Sequence, residues 1–148
     1  GLKYYLIKVD PKKRMMFDPL ESIDLNGNTG PFIQYTHARI CSLLKKAGDF
    51  GKNFTVSRVL LPAEKELIKV LMRFPGVLDD AGKQYSPAIL ANYCYELVKS
   101  YNQFYQNVKI LPENETEIRT NRLLMSKSTE KIIKHCLNLL GIYAPNRM

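Results

Sequence analysis

Three side chains in the stretch from residue 29 to residue 47 have types and spacing suited to holding a flat polar ligand: Phe32, Tyr35 and Arg39, at i, i+3 and i+7. On a helical wheel they fall within roughly 60° of one another, while Ile33, Ile40 and Leu44 cluster within roughly 40° on a face roughly 100–140° away. A helix with two such faces can bury one and offer the other. Aromatic rings stack on unstacked nucleobases, and a guanidinium pairs with base edges or phosphates. The same spacing also fits a plainer arrangement in which Phe32 and Tyr35 only widen the buried stripe.

Cations supply a second chemistry. Lys12, Lys13 and Arg14 form one group, Lys45, Lys46 and Lys52 another, and Lys127, Lys131 and Lys134 share one face of a late helix by the i, i+4, i+7 rule. Lys45, Lys46, Lys127, Lys131 and Lys134 are therefore candidate phosphate contacts, although a lysine face can also be merely solvated. Acids bunch instead at Glu113, Glu115 and Glu117, where a helix N-terminus favours them.

No nucleophile is assembled with a base, and no catalytic residue is assigned. His37 and His135 are far apart, and neither has a histidine or carboxylate four residues away, so packing or surface roles are expected and no metal site is assigned. The string Leu124-Met125-Ser126-Lys127-Ser128 is close in spelling to the Lys-Met-Ser-Lys-Ser nucleotide loop of class I aminoacyl-tRNA synthetases. It is not expected to act as that loop. Leu124 replaces the first lysine, and Met125 lies on a helical core stripe where a phosphate-gripping backbone has to be mobile.

The elements that must position these side chains read as helices. Residues 2–9 look like the last turns of a helix, closed at Asp10-Pro11-Lys12-Lys13-Arg14 because the residue before proline avoids helical geometry. Met15-Met16-Phe17 reads as extended and Asp18-Pro19 as a turn. Asn28 or Thr29 should cap the two-faced helix, with Pro31 in its first turn and Gly48 as its stop. A further helix is expected over Pro62–Phe74, broken by Pro75-Gly76, and a short one over Val77–Lys83. A long helix from Ser86-Pro87 carries Leu90, Cys94, Leu97, Tyr101, Phe104 and Val108 as its stripe. The last should run from about Glu115 to Leu140, with Ile118, Met125, Ile132, Cys136 and Leu139 inward and Gly141 just past its end. The fold class expected is all-α: an antiparallel bundle over residues 26–148 with an N-terminal appendage over residues 1–25.

Bulk properties agree with that frame. With 148 residues one core is the default. A net charge of +8 and a pI near 9.4 favour a polyanionic partner. No apolar run has the roughly 18 residues of a membrane span. The first residues lack a secretory cleavage pattern. Cys41, Cys94 and Cys136 are odd in number and widely spaced, which fits core thiols in a reducing cytoplasm.

Three segments together carry a resemblance: Val9-Asp10-Pro11-Lys12-Lys13-Arg14-Met15, then Asn26-Gly27-Asn28-Thr29-Gly30-Pro31-Phe32-Ile33-Gln34-Tyr35-Thr36-His37-Ala38-Arg39, then Leu139-Leu140-Gly141-Ile142-Tyr143-Ala144-Pro145-Asn146-Arg147-Met148. In order and spacing they resemble the C-terminal part of bacterial arginyl-tRNA synthetases. The resemblance implies a helical anticodon-binding domain of the DALR type, preceded by a remnant of the linker to a catalytic domain. It implies that the chain binds arginine tRNA without charging it. ATP with magnesium belongs to the catalytic part of the intact enzyme, and no cofactor is expected in this chain. It further implies that Phe32, Tyr35 and Arg39 form the anticodon pocket and Met148 its far wall, with the central cytosine the chief base read. Phe32 stands where many relatives carry tyrosine, Asn146 replaces a common glutamate, and the literal Asp-Ala-Leu-Arg string is missing near Arg122.

The implied partners are arginine tRNA and the chain's own catalytic domain, with no membrane and with the chain as a monomer. The alternative from a different class is a helical protein-interaction domain with only non-specific affinity for RNA. A helix-turn-helix DNA reader lacks its compact two-helix unit here. Tyr4, Tyr5, Leu6 and Ile7 are expected to be partly exposed or rearranged, having packed on something upstream.

Overall fold

A computed structural model describes residues 1–10, 12–55 and 59–148; Pro11, on which part of the first expected turn rests, lies outside them. Among the described residues there are seven helices and no strand: α1 (Leu2–Ile7), α2 (Pro19–Ser22), α3 (Gly30–Ala47), α4 (Pro62–Met72), α5 (Phe74–Lys83), α6 (Pro87–Asn107) and α7 (Thr116–Leu139). The fold is the expected all-helical bundle.

Local chemistry explains the boundaries of α3. Thr29 is the N-cap: its hydroxyl accepts the Phe32 amide at 3.2 Å, and Pro31 sits in the first turn. Asn28 is spent otherwise, accepting the Tyr4 hydroxyl at 2.7 Å. Gly48 ends the helix at φ 67°, a conformation that costs a glycine little. At the far end of the chain α7 closes in a Schellman turn, in which the Ile142 amide donates to the Leu137 carbonyl at 2.8 Å and the Gly141 amide to Asn138 at 2.9 Å. Gly141 takes φ 65° there.

α6 is the central helix. All six residues of its expected stripe are buried, and it packs against α4, α5 and α7. Tyr101 pairs with Ser126, and the Cys94 thiol meets Cys136, so α6 and α7 run antiparallel. α3 crosses α7 in the same sense, because its start bonds Tyr143 beyond α7 while Gly48 at its end shares a cavity with Lys127. Each fully buried aliphatic or aromatic side chain contributes roughly 1.5–3 kcal/mol.

The structure corrects several local expectations. Asp18-Pro19 starts a short helix rather than a bare turn, since the Asp18 carboxylate accepts the amides of Leu20 and Glu21. Pro75-Gly76 does not break a helix: the break falls at Arg73, and Pro75 occupies the first turn of α5, where its missing N–H costs nothing. Ser86 stands at the N-cap of α6 but makes no side-chain cap bond. In α7 the buried side chains are Asn121, Arg122, Leu123, Met125, Ser126, Thr129, Ile133, Cys136 and Leu137, whereas Ile118 and Ile132 are half-buried and Leu139 is exposed. The polar members explain the shift. Ser126 and Thr129 bond back to the carbonyls of Arg122 and Met125, which satisfies their hydroxyls inside the core.

Tyr4 and Tyr5 are also buried, against expectation, while Leu2 and Leu6 are exposed. The Tyr4 hydroxyl donates to Asn28 and to the Ala91 carbonyl, tying α1 to α6. A buried ion network pins α7 to α4. Arg122 Nε donates to Glu64 Oε1 at 2.8 Å, and its Nη1 donates to Glu113 Oε2 at 2.8 Å and to the Lys109 carbonyl. Glu64 also accepts the Leu61 amide, capping α4. The amide of Glu115, with Arg122 adding to it, holds the Glu113 carboxyl below the usual carboxylate range.

Candidate nucleic-acid interface

The outward face of α3 and the segment after α7 enclose a cavity of about 380 Å³ lined by Tyr35, Ala38, Arg39, Ser42, Arg147 and Met148. Three of the four residues expected at the pocket, Tyr35, Arg39 and Met148, therefore meet in one place. Tyr35 is 47% exposed and Met148 65%, so both present surface to a ligand. Phe32 is not brought to this cavity. It is half-buried, with its ring tilted against Tyr95 at 6.0 Å between centroids.

Arg39 is held rather than free. Its guanidinium lies 4.0 Å from the centroid of the Tyr105 ring on α6. A cation over an aromatic face keeps its edge donors available while losing side-chain freedom in advance. Tyr105 and Arg147 are functional candidates that sequence reasoning missed. No helical spacing links position 39 to position 105, and only packing of α3 on α6 brings them together.

Beside this cavity lies a larger one of about 930 Å³, lined by Cys41, Ser42, Lys45, Lys46, Glu130, Lys134, Asn146 and Arg147. Ser42 and Arg147 line both, so the ring-and-arginine pocket opens directly onto a basic cleft. Lys127 and Lys131 go elsewhere. They line a third cavity of about 400 Å³ with Lys52 and residues 48–51, and the Lys127 ammonium sits 5.7 Å from the centre of the Phe50 ring. The expected lysine face of α7 is thus divided between two basic hollows.

His37 and Cys41, one turn apart on α3, meet Glu130 of α7, with one donor atom from each lying within 4.8 Å of the others. Reading for His–His or His–carboxylate pairs overlooked this His–Cys pair at i, i+4. Both nitrogens of the His37 ring already have partners, and burial, with Glu130 adding to it, pushes the Cys41 thiol up. His135 packs edge-on against Phe74. Met125 and Ser126 of the Lys-Met-Ser-Lys-Ser-like string are buried in α7, so the string has no loop to offer a nucleotide. Among the described residues no helix is long and apolar enough to cross a membrane.

Comparison with known proteins adds to this geometry. The family model described as "DALR anticodon binding domain" matches residues 33–148. The chain is 54% identical over 148 residues to an arginine–tRNA ligase of Flavobacterium psychrophilum, and 48% identical over 152 residues to that of Parabacteroides distasonis; all of this chain is covered in both cases, but 24% and 26% of those proteins. Among solved structures it resembles the Thermus thermophilus arginyl-tRNA synthetase with a TM-score of 0.91 at 32% identity, covering 99% of this chain and 26% of that one. The arginyl-tRNA synthetase of Plasmodium falciparum gives 0.82 at 25% identity, covering 99% and 26%. The chain spans about a quarter of the length of these relatives. Its buried helical frame and a match running from the core residue Ile33 to Met148 mean that the chain belongs to the DALR anticodon-binding domain family.

Proposed function

We propose that this chain binds the anticodon loop of arginine tRNA. The observation that carries the reading is the meeting of Tyr35, Arg39, Arg147 and Met148 around one cavity that opens onto the Lys45, Lys46, Lys134 cleft. The cleft tracks the phosphate backbone by a salt-dependent attraction, and the cavity takes a base splayed out of the loop. Tyr35 stacks on the base, Arg39 pairs with its edge, and Met148 closes the far side. Phe32 extends the aromatic surface along α3 instead of lining the cavity, and Lys127 with Lys131 contacts phosphate farther along the loop's stem.

In this reading residues 1–25 are a remnant of the linker to a catalytic domain, and residues 26–148 are the binding domain. Leu2, Leu6, Met16, Leu20, Ile23 and Leu25, all exposed, supply apolar surface on which that domain can pack. The same exposed apolar side chains favour the second reading, a protein-interaction domain with only non-specific RNA affinity. The intact protein would be a cytoplasmic, monomeric arginine–tRNA ligase using ATP with magnesium. The Lys-Met-Ser-Lys-Ser-like string of this chain is helical and partly buried, so it offers that cofactor no loop.

Fluorescence anisotropy with arginine tRNA and with the same tRNA altered at its central anticodon base tests the proposal. Wild type should prefer the natural base, and Arg39→Ala should cost about 1–3 kcal/mol of binding and erase the preference. Equal affinity of the wild type for both tRNAs would leave only the protein-interaction reading.

A further inference from the structure

The segment after α7 has no regular structure of its own, yet it delivers Arg147 and Met148 to the cavity beside Tyr35 and Arg39. Side chains of α3 hold it there. Gln34 donates to the Tyr143 carbonyl at 2.7 Å on the surface. One turn on, His37 is wholly buried, with Nδ1 2.8 Å from the Pro145 carbonyl and Nε2 3.1 Å from Glu130 Oε1. A peptide carbonyl only accepts, so Nδ1 carries a hydrogen. Nε2 then faces a Glu130 carboxyl oxygen, which without a proton also only accepts. A neutral ring would set two lone pairs against each other, so the geometry demands one more proton between His37 and Glu130.

We propose that His37 is a positioning residue that latches residues 141–148 across α3 as an imidazolium, bridging the Pro145 carbonyl to the Glu130 carboxylate, and that the latch loosens when its extra proton leaves. That the latched segment walls an anticodon pocket rests on the function proposed above; the latch itself does not. The ring meets Glu130 from α7 and Cys41 on α3, and the cavity that these two line also carries Lys45, Lys46, Lys134, Asn146 and Arg147. Lys134 and Arg147 oppose a charged ring but are solvent-exposed, which screens them, whereas Glu130 is in direct contact. Cys41 stays a neutral thiol. A metal ion in place of the proton would have to enter beside Lys45, Lys46, Lys134 and Arg147, whose field repels cations.

Glu130→Gln separates the latch from ordinary packing. A glutamine amide donates to Nε2 of a neutral ring, so the variant keeps the contact without the extra proton. In the wild-type chain, amide hydrogen exchange of residues 142–148, corrected for its intrinsic pH dependence, should rise about tenfold between about pH 6 and about pH 9, since a charge-assisted bond is lost. Affinity for arginine tRNA should fall by a similar factor. In Glu130→Gln both should be flat across the same range, and at the acid end nitrogen-15 spectra of wild type should report a doubly protonated His37 ring. Protection of the segment that does not change with pH in wild type, or a pH response unchanged in Glu130→Gln, overturns the latch. So does stoichiometric zinc binding by the His37, Cys41, Glu130 cluster that leaves the segment ordered at high pH. Exchange that follows the proton in a chain that binds no tRNA would sink the anticodon reading and leave the latch standing.

Discussion

Truncating Arg122 takes the cation away from two carboxylates at once, one of them, Glu64, with only 1% of its surface exposed. Because removing one member of a buried ion pair leaves the other's charge uncompensated, Arg122→Ala should lower unfolding free energy by about 3–5 kcal/mol in urea titrations. Arg122→Met combined with Glu64→Gln should recover much of that loss. At the pocket, Tyr105→Leu removes the platform under the Arg39 guanidinium while leaving Arg39 in place. Binding to arginine tRNA should weaken by about 0.5–2 kcal/mol, and Arg39→Ala should then add less than it does alone. Strict additivity in that double-mutant cycle would mean that the ring does not prepare the arginine.

At the scale of elements, the turn that closes α7 sets the direction of everything after it. Gly141→Ala forces a side chain into a left-handed backbone, and the added Cβ would fall against the Lys3 ammonium. A loss of about 1–2 kcal/mol in thermal unfolding is expected. Helices were legible in the sequence wherever a cap, a proline or a glycine punctuated an apolar period: α3 between Thr29 and Gly48 and α6 after Pro87 are the clear cases. The stripe of α7 was legible only at Met125 and Cys136, because its inward face also uses Arg122, Ser126 and Thr129, polar residues that become core once partners on other segments or carbonyls of the same helix satisfy them. The candidate site divides the same way. Tyr35 and Arg39 were visible by spacing on one helix, while Tyr105 and Arg147 depend on where distant segments land. Phe32 shares their wheel face, but Tyr95 draws its ring aside.

For the whole molecule, alkaline pH should be the weak side of its stability curve. Burial pushes the hydroxyls of Tyr4, Tyr93 and Tyr101 well above the ordinary phenol range. Each is also a hydrogen-bond donor, to Ala91, Val70 and Ser126 respectively. Their folded pKa values are raised, so the stability they contribute is complete below the unfolded phenol value of about 10 and is lost as pH climbs beyond it. Urea midpoints should fall steeply between about pH 9.5 and about pH 12, and the limb should flatten when the three are changed to phenylalanine.

One short stretch of α3 holds both halves of the pocket. Tyr35 and Arg39 face the cavity, while Gln34 and His37 carry the bonds that bring its opposite wall into place. The helix therefore works as a ruler, and its tolerance of changed length is uneven. A residue inserted before Gln34 turns all four together by about 100°, preserving their mutual register but aiming the pocket elsewhere. One inserted between Tyr35 and His37 parts Gln34 and Tyr35 from His37 and Arg39, so that both the reading pair and the pair holding the wall lose register. Length variation among related chains should accordingly be absent from residues 34–39 and collect between α3 and α4.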